Sequence, residues 1–126
     1  MEILTTRTAN IHLDNDIIHL VILPKTQVCY DDAVENSKAI RTLCKKQKYS
    51  YLIDVSASNL KFEKEAQRFM ESTNISRRYI AIAILIGETT NLELRDFVYG
   101  IIGSKVPTVV FHNYDEATNW LKSFKG

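Results

Sequence analysis

Ile80-Ala81-Ile82-Ala83-Ile84-Leu85-Ile86 is an unbroken apolar run, set between Arg77-Arg78-Tyr79 and Gly87-Glu88. Hydrophobicity that is continuous rather than alternating is the pattern of a strand covered on both faces, as in a helix-flanked sheet. Alanines alternate with β-branched isoleucines, so one face presents small side chains that a helix can approach closely and the other presents bulky ones. The run therefore predicts a layered α/β domain with this strand at its centre.

A chain of 126 residues fits one ordinary domain with a real core, and a single domain over residues 1–126 is expected. Sixteen Lys and Arg against fifteen Asp and Glu give a formal charge of +1, no global field for nucleic acid or an anionic membrane surface. Cys29 and Cys44 have neither C-x-x-C spacing nor the density of a secreted disulfide scaffold, so reduced thiols in a cytoplasm are expected. Met1 is followed by Glu2 rather than a basic segment, and no apolar run approaches the roughly 20 residues that span a bilayer, so no membrane insertion is expected.

Working outward, the N-terminal stretch Ile3 to Asp14 meets the turn-forming pair Asn15-Asp16, and Asp16 to Leu23 returns as an antiparallel strand ended by Pro24. Asp31 or Asp32 is expected to cap a first helix, with Glu35 in capping-box position, Ala33, Ile40, Leu43 and Cys44 inward, and its Glu, Asn, Lys and Arg side chains solvated. Tyr51 to Val55 reads as a strand, followed by a polar loop from Ser56 to Lys61 and a second helix starting near Phe62, with Ala66, Phe69, Met70 and Thr73 at helical spacing. Thr90 and Glu93 form a T-x-x-E box before a third helix with the stripe Leu94, Phe97, Val98, Ile101 and Ile102, ended by Gly103. Pro107 opens a last strand, Thr108 to Phe111, and Asn113 with Glu116 caps a final helix carrying Ala117, Trp120, Leu121 and Phe124. The order is βββαβαβαβα. Strands alternating with helices pair in parallel, and their carboxyl ends make a rim of Pro24 to Tyr30, Ser56 to Lys61, Gly87 to Asn91 and His112 to Tyr114, where ligands and partners tend to bind.

Ile53-Asp54-Val55-Ser56 at a strand end, the buried Ile/Ala strand, and Val109-Val110-Phe111-His112 leading into Asp115-Glu116-Ala117 and Trp120-Leu121 together resemble the STAS-like group. That group includes sulfate transporter and anti-sigma factor antagonist domains and small stand-alone SpoIIAA-like proteins. The resemblance covers nearly the whole chain. It implies a curved mixed sheet with a parallel core, an N-terminal antiparallel hairpin, four helices on one side, and a binding surface at the loop after the Asp-x-Ser strand. Anti-sigma antagonists carry a phosphorylated serine at the start of the following helix, where free N–H groups and the helix dipole stabilise a phosphate. Aligned from Asp54, those positions here are Phe62, Glu63 and Lys64, with no hydroxyl. The usual phosphoswitch is therefore not expected, and Ser56 and Ser58 upstream read as loop serines bonding to nearby backbone.

Neither cysteine has a neighbouring base, no Gly-rich phosphate loop exists, and the spacing of His12, His19 and His112 demands no metal. His12 and His19 read as a cross-strand pair on the hairpin. No catalytic residue, metal ligand or cofactor is assigned. Tyr49, Tyr51, Tyr79, Tyr99 and Tyr114 sit mostly at element ends, where a ring packs and its hydroxyl stays wet. The expected function is a cytoplasmic, non-enzymatic regulatory or protein-interaction module, with a small apolar or anionic ligand as a further option at the rim. Its expected binding residues are Asp54, Ser56, Ser58, Asn59, Glu63, Glu88, Thr89 and His112, and its expected interface is Phe97, Val98, Ile101 and Ile102 in a homodimer or with another protein. The alternative is an enzyme or small-molecule binder using His112, Asp54 and Glu88.

Overall fold

A computed structural model describes residues 2–45, 47–77, 79–87, 92–102 and 106–124, with side chains for all of these except 74–77 and 92–94. The elements in chain order are β1 (Ile3–Thr5), β2 (Ala9–Asp14), β3 (Ile17–Ile22), β4 (Gln27–Val28), α1 (Tyr30–Leu43), β5 (Ser50–Val55), β6 (Lys61–Phe62), α2 (Lys64–Arg77), β7 (Ile82–Ile86), α3 (Leu92–Ile102), β8 (Thr108–Phe111) and α4 (Tyr114–Lys122). Six strands form one sheet in the order β1-β2-β3-β5-β7-β8, antiparallel over the first three and parallel thereafter. The expected order is present, with one addition: β4 and β6 pair in parallel as a separate two-stranded ribbon. That ribbon shifts the start of α2 from the expected Phe62 to Lys64, because Phe62 is engaged as a strand residue.

The β2–β3 turn is a two-residue loop in which Asn15 and Asp16 both have positive φ, 52° and 62°. Two left-handed residues match the twist of the flanking strands, and Asn and Asp tolerate that conformation better than other side chains. Helix α1 starts at Tyr30, two or three residues earlier than a cap at Asp31 or Asp32 implies. Cys29 is its N-cap, and Asp32, three residues on, accepts a hydrogen bond from the Cys29 N–H at 2.9 Å. At the other end of the chain Asn113 caps α4 as expected, its Oδ1 accepting from the Glu116 N–H at 3.0 Å.

The strand order advances in one direction from β3 to β8, and right-handed crossovers then put every connecting helix on the same face. That face holds the larger core: Ile11, Ile18, Leu20, Ile53, Ile82 and Ile84 pack with Ala33 and Ile40 of α1, Ala66 and Met70 of α2, and Phe97 and Ile101 of α3. Helix α4 follows the last strand and connects to nothing further in the sheet. It folds over the opposite face, where Ala117 and Leu121 meet Ile17, Leu52, Ala81, Ala83 and Leu85. The alternation in the Ile/Ala run is thus used as its chemistry suggests, alanines beneath a closely packed helix and isoleucines towards the main core, but β7 is fifth of the six strands and β3 and β5, not β7, lie at the middle of the sheet. The expectation of helices on one side is corrected by α4.

Two further readings change. Asn36, assigned to the solvated side of α1, is buried, and its amide donates to Thr8 Oγ1 at 3.0 Å while its Oδ1 accepts from the Thr6 hydroxyl. This polar bridge ties α1 to the β1–β2 turn, so a buried amide is satisfied rather than exposed. Tyr49, Tyr51 and Tyr79 are core residues, leaving Tyr99 and Tyr114 as the exposed rings of the tyrosines named above.

Candidate functional site

At the carboxyl ends of the parallel strands, the part of the rim between the loops after β3 and β5 is zipped together by backbone. The Lys25 N–H donates to the Ser58 carbonyl at 2.8 Å, Lys61 to Thr26 at 3.0 Å and Glu63 to Val28 at 3.0 Å, so the loop after β5 is fastened to the loop after β3. Lys25 and Asn59 both adopt left-handed φ, 55° and 58°, which lets the two loops turn tightly enough to meet. Gly87 at the end of β7 is required by a close approach: a Cβ there would lie 2.6 Å from the Ser56 carbonyl oxygen.

Side chains reinforce the same closure. Asp54 Oδ1 accepts from the Ser56 N–H at 3.0 Å and from its hydroxyl at 2.6 Å, a local turn that holds the loop as it leaves the strand. Glu63, directly before α2, accepts from Gln27 Nε2 at 3.2 Å and from the Cys29 thiol at 3.1 Å. The bonded Glu63 carboxylate, and then burial, push the Cys29 thiol above its ordinary value, which disfavours the thiolate a nucleophile needs. Arg7 grips both oxygens of Asp32, holding that carboxyl below the usual range. Tyr30, beginning α1, is 49% exposed, with its ring edge-on to Phe69 of α2 at 5.5 Å.

The expected site residues therefore divide. Asp54 and Ser56 are bonded to each other, Ser58 contributes its carbonyl, Asn59 its backbone turn, and Glu63 joins the cluster around Cys29. His112 stands exposed beyond β8, where Asn113 rather than His112 caps the turn. Glu88, Thr89, Thr90 and Gly103 lie outside the described residues, as does the side chain of Glu93. Phe97, Val98 and Ile101 are buried within the chain itself, Phe97 stacked on Phe62 at 4.3 Å, so the face of α3 open to a partner is Tyr99 and Ile102.

A second cluster lies on the α4 face. His12 and His19 are register partners across the β2–β3 ladder, their rings stacked with centroids 4.3 Å apart, as the cross-strand reading expects. His19 is 2% exposed, with Nδ1 3.1 Å from the Ile17 carbonyl and Nε2 3.2 Å from the Tyr114 hydroxyl. Burial, and then His12, lower its pKa; a neutral ring that donates from Nδ1 and accepts the tyrosine proton at Nε2 satisfies both contacts. Tyr114 is pushed up by burial and by Asp14. Sequence reading missed Tyr114 as the partner. The parity that puts His19 and Leu52 on one face and the helix after β8 above them is the signal that locates it.

Among the described residues no group of three or more His, Cys, Asp or Glu could hold a metal ion, and no helix is long and apolar enough to cross a membrane. The model of a domain of unknown function, DUF7793, matches residues 11–125. No curated protein matches the chain significantly. Among solved structures the chain is similar to an uncharacterised protein of the DUF3478 family with a SpoIIAA-like fold from Shewanella loihica PV-4. The identity is 13%, the TM-score 0.60, and the match covers 88% of this chain and 90% of that one. The sheet described above is thus a SpoIIAA-like fold, as the sequence resemblance implies; of Phe62, Glu63 and Lys64, the first is in β6 and the last begins α2.

Proposed function

The chain belongs to the DUF7793 family, a domain of unknown function, and we propose that this SpoIIAA-like member is a non-enzymatic regulatory or protein-interaction module of the cytoplasm. The observation that carries the reading is the state of the rim: Asp54, Glu63 and Asp32 are bonded to Ser56, to Gln27 and Cys29, and to Arg7, so these carboxylates shape the surface rather than wait for a substrate. Beside them the exposed Tyr30 ring, edge-on to the half-buried Phe69, gives the rim an aromatic of the kind that anchors protein contacts. The partner is another protein, a second copy of the chain included, rather than nucleic acid or lipid. Without a hydroxyl at the helix start, contact with it is not governed by the phosphoserine mechanism.

Native mass spectrometry of tagged protein isolated from its own cells, with partner capture alongside, tests this. Tyr30→Ala is expected to weaken partner capture or dimer formation at least about tenfold, as loss of an aromatic anchor does, while His112→Ala leaves it unchanged. Capture that survives Tyr30→Ala and is lost with His112→Ala would contradict the proposal.

A further inference from the structure

A second opening lies at the opposite end from the rim. It is a cavity of about 540 Å³ at the amino ends of the parallel strands, beneath the end of α4. Such a volume is that of a small-molecule site. Its apolar wall is Ile17, Ile80, Leu121 and Phe124, and its rim is the Asn15-Asp16 turn with Lys48 and Lys122.

Three observations give the cavity a chemistry. Ser50 lines it and is 4% exposed, and its hydroxyl makes no hydrogen bond among the described residues, although its backbone N–H is taken by the Asp16 carbonyl at 3.2 Å. By strand alternation that hydroxyl falls on the α4 side with Leu52. A buried hydroxyl without a partner carries an unmet desolvation cost that a ligand atom in the cavity would remove. Lys48 and Lys122 are exposed, and neither is in an ion pair among the described residues. The nearby carboxylate of Asp16 is occupied, accepting from Gln47 Nε2 at 3.1 Å.

We propose that this cavity binds a small monocarboxylate with a compact apolar body, its carboxylate held by Lys48, Lys122 and the Ser50 hydroxyl and its body against Ile80, Leu121 and Phe124. Two ammonium groups and a hydroxyl left to donate favour an anion. A single charge is preferred because Asp16 sits in the same wall, and Asp14 and Asp115 line an adjoining cavity of about 300 Å³ that shares Asn15, Ile17 and Lys122. The depth of Ser50 favours a small molecule, since a protein surface laid across the mouth would not reach it.

The test uses phenylacetate and hexanoate as probes and hexylamine as the control of opposite charge, read by amide chemical shifts and calorimetry on the full chain. Both acids are expected to move the amides of Asn15, Asp16, Ser50 and Lys122, with hexylamine at least about tenfold weaker. A Lys48→Gln/Lys122→Gln variant, altered only at the surface and checked by circular dichroism, is expected to weaken the acids by about tenfold, and Ser50→Ala by a smaller factor. No binding of either acid at millimolar concentration, equal binding of the amine, or shifts confined to the Pro24 to Tyr30 rim would each overturn the proposal. So would affinities that the lysine variant leaves unchanged, because Lys48 and Lys122 would then not hold the carboxylate.

Discussion

At the carboxyl ends of the parallel strands Asp54 holds Ser56, Glu63 holds Gln27 and Cys29, and Asp32 holds Arg7; at the amino ends, among the described residues, the buried Ser50 hydroxyl makes no hydrogen bond and Lys48 and Lys122 are in no ion pair. The usual expectation for open α/β sheets puts ligands at the carboxyl ends. Here a backbone zipper between β4 and β6 joins the loops after β3 and β5 at that end. Helix α4, folded over the second face, roofs an opening at the other. Which end of a sheet binds is thus set by which polar groups the loops leave unsatisfied, and not by strand direction alone.

The largest effect that bears on this contrast is expected at the roof. Leu121 is buried in the α4 core and also borders the cavity, so Leu121→Ala removes packing and widens the opening. A loss of about 2–5 kcal/mol in chemical denaturation is expected. A loss below about 1 kcal/mol would mean that α4 is not a firm roof.

A smaller effect concerns the histidine between the two ends. Burial and His12 hold His19 below the ordinary imidazole range, opposed by the Ile17 carbonyl and by Asp14 and Asp54. The unfolded chain therefore takes up this proton at higher pH than the folded one. Its contribution to stability is full above roughly pH 6.5 and is lost as the pH falls through that value towards the lower folded pKa. Thermal melts between neutral and mildly acid pH are expected to show this loss in the wild type and a flatter profile in His19→Gln. Identical profiles would remove His19 from the account.

Much of the architecture was legible because it is written as periodicity. The Ile/Ala run marked a buried strand and both of its covered faces, though not its place next to the sheet edge, Asn15-Asp16 marked the hairpin, and Asn113 with Glu116 marked the last helix. The ribbon of Gln27-Val28 with Lys61-Phe62 was not legible, since two residues carry no period and their pairing depends on loops brought together from a distance. The buried Asn36 was misread for a related reason: its partners Thr6 and Thr8 lie about 30 residues away, and only their bonds make burial affordable. At the site, Asp54, Ser56 and Glu63 were found as residues but not as one another's partners or those of Cys29. Ser50 and Lys122 were not singled out, because a cavity formed by a turn and a helix end leaves no motif.

The contrast between the two ends rests on one pair of like residues. Urea unfolding of Ser56→Ala and Ser50→Ala, side by side, measures it most directly. Ser56→Ala breaks the bond to the Asp54 carboxylate and is expected to lose about 1 kcal/mol, whereas Ser50→Ala removes a buried hydroxyl without a partner among the described residues and is expected to change stability by less than about 0.5 kcal/mol, or to raise it. A neutral Ser56→Ala beside a destabilising Ser50→Ala would contradict the account.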